Sequence, residues 1–252
     1  MEMPKGLTLP VNGVGGDWIV KLPSPRFEAV PQNEYAMMTL ARAVGIDVPD
    51  VQLVATNDIG RLPQGLPEAF GQSLAVRRFD RPRAGERVHI EDFAQIFGVY
   101  PEDKYRKASY GSIARVLWLE TGEEGVTEYT RRLVFNVLIG NADAHLKNWS
   151  LIYPDGRAPK LAPAYDLVST APYIPGDRLA LSLSGTKDFA QIDLERFRRF
   201  AEKAGLPVRL VLQTARDTAA TIRDLLPTHE PLGALPDRIR EAITAHMQAT
   251  KL

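Results

Sequence analysis

The chain has 252 residues, and its 31 lysines and arginines balance 31 aspartates and glutamates, so no net positive field marks it as a direct nucleic-acid binder. It has no cysteine, which excludes disulfides, thiolate zinc sites and a cysteine nucleophile, and fits a reducing cytoplasm. No signal peptide and no apolar run of bilayer-spanning length is visible, so the expectation is a soluble, cytoplasmic protein without a membrane partner. The length suits one large core or two fused lobes around a cleft.

In chain order, residues 1–16 contain GLTLPVNGVGG, which reads as a short apolar segment and a hairpin turn, because Val14-Gly-Gly-Asp17 lacks the full G-x-G-x-x-G spacing. Trp18–Lys21 reads as a strand with Lys21 at its end. A helix is predicted over 31–44, since Pro31 suits a first turn and Gly45 an exit, with Tyr35, Met38, Ala41 and Val44 as its apolar side. Glu34 falls in the first turn, where the helix dipole alone favours a carboxylate; the functional alternative is an ion pair with Lys21. Strands follow at 51–55 and 73–79, separated by a turn at Asn57-Asp-Ile-Gly60 and a proline-rich loop through Pro67. Arg77-Arg-Phe-Asp-Arg81 then lies where a two-lobed chain would cross between lobes, and its arginines equally suit surface ion pairs.

From Glu91 the pattern is read as helical. Ile90, Phe93, Ala94 and Phe97 form one face, and Ser112 is read as the cap of a helix over 113–119. The next helix carries Val126, Tyr129, Leu133, Val134, Val137 and Leu138 at helical spacing and exits through Gly140 and Asn141. After a polar loop, Trp149 to Tyr153, the turn Pro154-Asp155-Gly156 and Lys160-Leu161 read as a hairpin leading to Tyr165-Asp166. An extended segment over 179–183 and helices over 194–204, 209–225 and 235–247 complete the chain, with Phe197 and Phe200 as packing residues. No internal repeat appears, and no linker is long enough to separate independent domains.

The polar loop carries the chemistry. Asp143 and Asn148 stand five positions apart, the D-x-x-x-x-N spacing of kinase catalytic loops. Phosphoryl transfer needs a carboxylate to take the hydroxyl proton and two oxygen ligands for the magnesium ion that bridges the phosphates. Asp143, Asn148 and Asp166 can fill those roles, with the hairpin folding the second acid back beside the first. His145 is placed to face the transferred phosphoryl group, and Lys147 is grouped with the nucleotide-binding candidates. The plain alternatives are an Asx-turn and a helix cap for Asp143 and Asn148, a loop-stabilising donor for His145 and a solvated charge for Lys147.

The runs FNVLIGNADAHLKNWSL and LAPAYDLVST resemble the catalytic and metal-binding motifs of HipA-like serine/threonine kinases, the toxin halves of bacterial toxin–antitoxin modules. WIVKLPSPRF, NEYAMMTLARAVGIDVP, VRRFDR and RVHIEDFAQIFG are similar to that family in the same order, from about Gly15 to the helix near Arg199. The resemblance implies an α+β, bilobal protein-kinase-like fold, with a small sheet-containing lobe over 1–80 and a mainly helical lobe over 81–252. It implies ATP and Mg2+ as cofactors: Lys21 as the phosphate clamp positioned by Glu34, the backbone of Arg78 and Phe79 as the adenine-contacting hinge, Asp143 as the base, and Asn148 and Asp166 as magnesium ligands. It further implies a protein substrate, with aminoacyl-tRNA synthetases as known targets, inhibition of translation, and a helix-turn-helix antitoxin through which DNA is contacted indirectly. One departure stands out. Relatives carry a further N-terminal subdomain and, before the strand lysine, a loop similar to A-G-x-Q-x-K that covers the phosphates, and this sequence begins too late to include it. Two other readings stay open: an ATP-binding or antitoxin-binding pseudokinase fragment, and a small-molecule phosphotransferase.

Overall fold

The computed structural model describes residues 16–252, apart from 61, 63–70, 84 and 106–107. The expected glycine-rich hairpin before Gly16, and most of the proline-rich loop, lie outside the described residues. The fold is bilobal, a small sheet-based lobe joined to a mostly helical one. In the small lobe β1 (Trp18–Lys21), β2 (Val51–Ala55) and β3 (Gln72–Arg77) form an antiparallel sheet in the order β1-β3-β2. The register sets Ile19 opposite Val76 and Lys21 opposite Leu74. Because side chains alternate along a strand, Ile19 and Lys21 share one face.

Helix α1 (Val30–Ala43) packs on β2 and β3 and buries Met37, Met38, Leu40 and Ala41. Its chain entry is left-handed at Ala29, with Pro31 in the first turn, where a missing amide proton costs nothing. Gly45 has φ 85°, the exit conformation its lack of a Cβ permits.

The stretch His89–Asp92 is a strand, β4, so the helix expected from Glu91 begins only after Asp92. Strand β4 pairs with β5 (Ser150–Tyr153), which in turn pairs with β6 (Lys160–Leu161), giving a second three-stranded sheet. Its residues show no apolar alternation, so the pairing comes from the edge that β5 offers. Asp92 then caps the one-turn helix α2 (Phe93–Ile96) through a reciprocal capping box with Gln95.

Helix α3 (Tyr110–Leu138) is the axis of the large lobe. Its cap is Ser109, which accepts from the Ser112 amide; Ser112, expected to be the cap, is the third residue of the first turn. The two expected helices are joined across a kink at Gly122 (φ 63°, ψ −149°), a conformation only glycine adopts without strain. The predicted stripe Val126, Tyr129, Leu133, Val134, Val137 and Leu138 is fully buried. Against α3 pack α4 (Leu194–Ala204) and α5 (Val208–Leu225), with Phe197 and Phe200 in the core as expected. A short turn α6 (Glu230–Gly233) and α7 (Asp237–Ala249) close the lobe. Residues 179–183 form no strand; Ser182 and Leu183 make only isolated bridges, to Ser109 and Thr186.

Candidate active site

Helix α3 ends at Gly140 (φ 68°), and the polar loop that follows is held from several sides. The Asn141 side chain accepts from the Asp143 amide at 3.0 Å and donates to Asn136 Oδ1 at 2.7 Å and to the Asp166 carbonyl at 3.3 Å. Thr170 Oγ1 accepts from the Ala142 amide at 3.1 Å, and the Ala144 carbonyl accepts from Tyr110 and from the Trp149 indole. Such side-chain bonds replace the ladder that a loop lacks, so the backbone of 141–149 is fixed without regular structure.

On this frame three further chain segments meet the loop. Lys21 Nζ lies 2.6 Å from Glu34 Oε1 and also pairs with Asp166 Oδ1. Asn148 Nδ2 donates to Asp166 Oδ2 at 3.2 Å. Lys21, Glu34, Asp166 and Asn148 thus form one connected group drawn from β1, α1, the loop and the segment after the hairpin. Glu34 is 4% exposed, and burial pushes its carboxyl up against the pull of Lys21. Burial alone would lower Lys21, but Glu34 and Asp166 outweigh it and hold the ammonium above its ordinary range. Asp166 has φ 56°, a left-handed conformation uncommon for a residue with a Cβ.

Beside this group runs a cleft of about 420 Å3. Lys21, Glu34 and Asp166 form its polar end, and Ile19, Val76, Phe79, Ile90 and Tyr165 its apolar walls. That size and division suit a small ligand with one flat apolar part and one charged part. Ile19 is 51% exposed, a half-open apolar surface on the cleft wall. A larger hollow of about 530 Å3 between Gly140, Asp177 and His246 contains none of the four polar residues.

Phe79 and Arg78 line the cleft, but Arg78 cannot offer its amide to a ligand, because that N–H already donates to the Asp17 carbonyl at 2.8 Å. Its guanidinium makes a two-pronged contact with Asp80, at 3.0 and 2.8 Å, and Arg81 adds a third bond to the same carboxylate. Burial would raise the Asp80 carboxyl, yet the two arginines hold it below its usual range. The arginine side chains of the crossing thus form an ion-pair network, while the backbone of Phe79 is not engaged by it.

Asp143 stands outside the cleft lining with its side chain 55% exposed. It accepts a hydrogen bond from the Tyr105 hydroxyl at 2.5 Å. Burial, and next the bond to Asp143, push that phenol far above its ordinary value. His145 is buried beneath Tyr105, their rings edge-on at 5.1 Å, with Nε2 3.8 Å from Asp143 Oδ1 and Nδ1 without a partner among the described residues. Burial lowers the His145 pKa, so the ring is neutral at pH 7. The Lys147 side chain is exposed, and its carbonyl accepts from Tyr165. Tyr105 went unrecognised in the sequence because it sits in a polar run, EDKYRK, with no motif around it.

Among the described residues no cluster of three His, Cys, Asp or Glu side chains could cage a metal. What the site offers is an amide oxygen beside a carboxylate: among the described residues, the buried Asn148 Oδ1 has no hydrogen-bond partner, and it lies next to Asp166. Magnesium fits such a pair, because it takes one or two protein oxygens and completes its shell with phosphates and water.

The bilobal fold is of a kinase-like class. The chain belongs to the HipA-like family: its residues 4–226 match the HipA-like C-terminal domain. It is 50% identical to Y4dM of Sinorhizobium fredii over 248 residues, which are 98% of this chain and 60% of that protein. It is 30% identical to the serine/threonine-protein kinase toxin HipA of Shewanella oneidensis over 213 residues, 75% of this chain and 46% of the toxin. In the solved complex of Shewanella oneidensis HipA, HipB and operator DNA, a chain superposes with a TM-score of 0.75 at 25% identity, covering 92% of this chain and 57% of that one. The Helicobacter pylori proinflammatory kinase CtkA shares the fold, with a TM-score of 0.57 at 12% identity over 92% of this chain and 82% of that one. The chain thus spans about 60% or less of the length of these curated relatives.

Proposed function

We propose that the chain binds Mg-ATP and transfers its γ-phosphoryl group to a serine or threonine of a protein. The observation that carries this reading is the connected group of Lys21, Glu34, Asp166 and Asn148, the first three of which line one end of a cleft that also presents Ile19, Val76, Phe79 and Ile90. A purely structural ion pair needs neither the second acid nor a cleft with apolar walls beside it.

In this reading the adenine lies between Ile19, Val76 and Phe79, and Lys21, held by Glu34, receives the phosphates. Arg78 serves through its side-chain network and not as a hinge donor. Asn148 and Asp166 would hold a magnesium ion, which when bound would neutralise the phosphate charge that builds toward the leaving group. The acceptor hydroxyl oxygen bonds to the γ-phosphorus as the bond from that phosphorus to the ADP oxygen breaks, and the hydroxyl proton passes to Asp143. Tyr105 donates to one oxygen of Asp143 and so fixes the carboxylate, leaving the other oxygen for the acceptor. His145, neutral and buried, supports Asp143 and Tyr105 from below. Lys147 remains exposed on the acceptor side.

The relatives extend the reading to biology. A toxin named as a serine/threonine kinase and a complex of HipA with HipB and operator DNA support a toxin role for this chain, with a helix-turn-helix antitoxin that meets the DNA. The substrate class is a protein of translation, an aminoacyl-tRNA synthetase being the candidate, and the compartment is the cytoplasm. No helix among the described residues is long and apolar enough to cross a membrane.

The test is calorimetry with ATP in the presence and absence of magnesium. Asp166→Asn should stay folded and lose at least about tenfold in magnesium-dependent affinity. Unchanged metal-dependent affinity would remove Asp166, and the reading built on it.

A further inference from the structure

Asn33 is fully buried in the first turn of α1, immediately before Glu34. Its Nδ2 donates to the Ser169 carbonyl at 2.9 Å and to the Tyr173 hydroxyl oxygen at 3.1 Å, and its Oδ1 accepts from the Ser169 amide at 3.2 Å. The Tyr173 hydroxyl in turn donates to the Glu28 carbonyl at 3.0 Å, just ahead of α1. A side-chain amide carries a donor and an acceptor in one plane, so Asn33 pairs with both backbone groups of Ser169 as a neighbouring strand residue would. Ser169 lies three positions beyond Asp166.

We infer that Asn33 is a positioning residue that sets the distance between Glu34 and Asp166, the two carboxylates that share Lys21. Glu34 is one residue from Asn33 on a rigid helix, and Asp166 is on the short segment that Asn33 grips. The middle of α1 is fastened as well: His229 Nε2 lies 3.1 Å from the Ala36 carbonyl and 3.0 Å from Thr39 Oγ1. Helix α1 is therefore tied to the large lobe near its start and at its middle while it packs on the small sheet. The acid that orients Lys21 is held by the same lobe that supplies Asn148 and Asp166. This role rests on the kinase reading for its purpose, though its geometry is independent of any nucleotide.

The experiment uses two variants and two readouts. Asn33→Asp keeps the acceptor for the Ser169 amide but loses both donated bonds. Tyr173→Phe leaves the Asn33–Ser169 pairing and removes only its outer support. Without nucleotide, acetylation of lysines by a water-soluble active ester is followed by peptide mass spectrometry, because an ammonium clamped by two carboxylates reacts slowly. Asn33→Asp should speed labelling of Lys21 about tenfold, the factor expected from losing one or two hydrogen bonds, with exposed Lys203 as the unchanged reference. The added negative charge would by itself slow Lys21, so a gain has only the released clamp as its cause. Mg-ATP affinity should fall by about the same factor, with a smaller loss in Tyr173→Phe. A folded Asn33→Asp with parental Lys21 labelling overturns the inference. If that variant does not fold, parental labelling and affinity in Tyr173→Phe overturn it instead. A parent chain that binds no Mg-ATP refutes the kinase reading, while the labelling still decides whether Asn33 positions the carboxylates.

Discussion

Replacing Lys21 by methionine should destabilise the folded chain as well as impair nucleotide use, and the size of the effect follows from the geometry. The ammonium is 2.6 Å from a carboxylate that is 95% shielded at its side chain and it pairs with Asp166 as well. Removing one partner of a fully buried pair costs about 3–5 kcal/mol. The Lys21 side chain is 34% exposed, so solvent screening brings the expected loss to about 2 kcal/mol. Glu34→Gln should cost less, about 1 kcal/mol, because Lys21 keeps Asp166. The double variant should be no worse than Lys21→Met, which makes the coupling about 1 kcal/mol. Thermal unfolding followed by circular dichroism reads this as a fall of about 4–8 °C for Lys21→Met at neutral pH. Losses that add within about 0.3 kcal/mol would show that the two residues do not interact, and Lys21 could not then be held in place by Glu34.

Tyr105→Phe keeps the ring contact with His145 and loses only the hydroxyl, so phosphate transfer should fall about tenfold with Mg-ATP affinity unchanged. Faster transfer would mean that the hydroxyl blocks the acceptor and does not orient Asp143. Stability should also depend on pH through His229 and His246, whose pKa values burial holds below the ordinary 6.5. The unfolded chain then takes up protons first, so stability is lost as pH falls from about 6.5 through the folded values, by up to about 1.4 kcal/mol per pH unit for each ring. Glu34, raised above 4.5, has the opposite sign, its contribution fading as pH rises from that value, so the profile is best measured in Glu34→Gln. A flat urea midpoint between about pH 7 and 5 would contradict this.

The site was legible where chemistry imposes spacing. Asp143 and Asn148 stand out at their fixed interval, and the hairpin leading to Asp166 follows from a turn between two apolar runs. Helix α4 was legible over 194–204 from its apolar stripe with Phe197 and Phe200, and the structure adds the Asp193 cap and Gly205 exit that fix its ends. Where tertiary partners decide, the pattern misled or was silent. β4 forms from His89-Ile-Glu-Asp because β5 presents an edge, and α3 runs through Gly122 because packing on both sides of the kink holds it. Arg78 looked like a hinge donor until the Asp17 carbonyl claimed its amide. Asn33 and Tyr105 matter through partners 136 and 38 positions away, a separation no local pattern encodes.

Asp143 is the proposed acceptor of the attacking hydroxyl's proton, and phosphate transfer and Mg-ATP affinity measured side by side for the parent and Asp143→Asn put that role to the test. Transfer from radiolabelled ATP to proteins of a bacterial lysate should fall at least about 100-fold in the variant, while calorimetric Mg-ATP affinity stays within about twofold of the parent. A folded Asp143→Asn that still transfers phosphate at the parental rate, or a parent that binds Mg-ATP and transfers none, would contradict it.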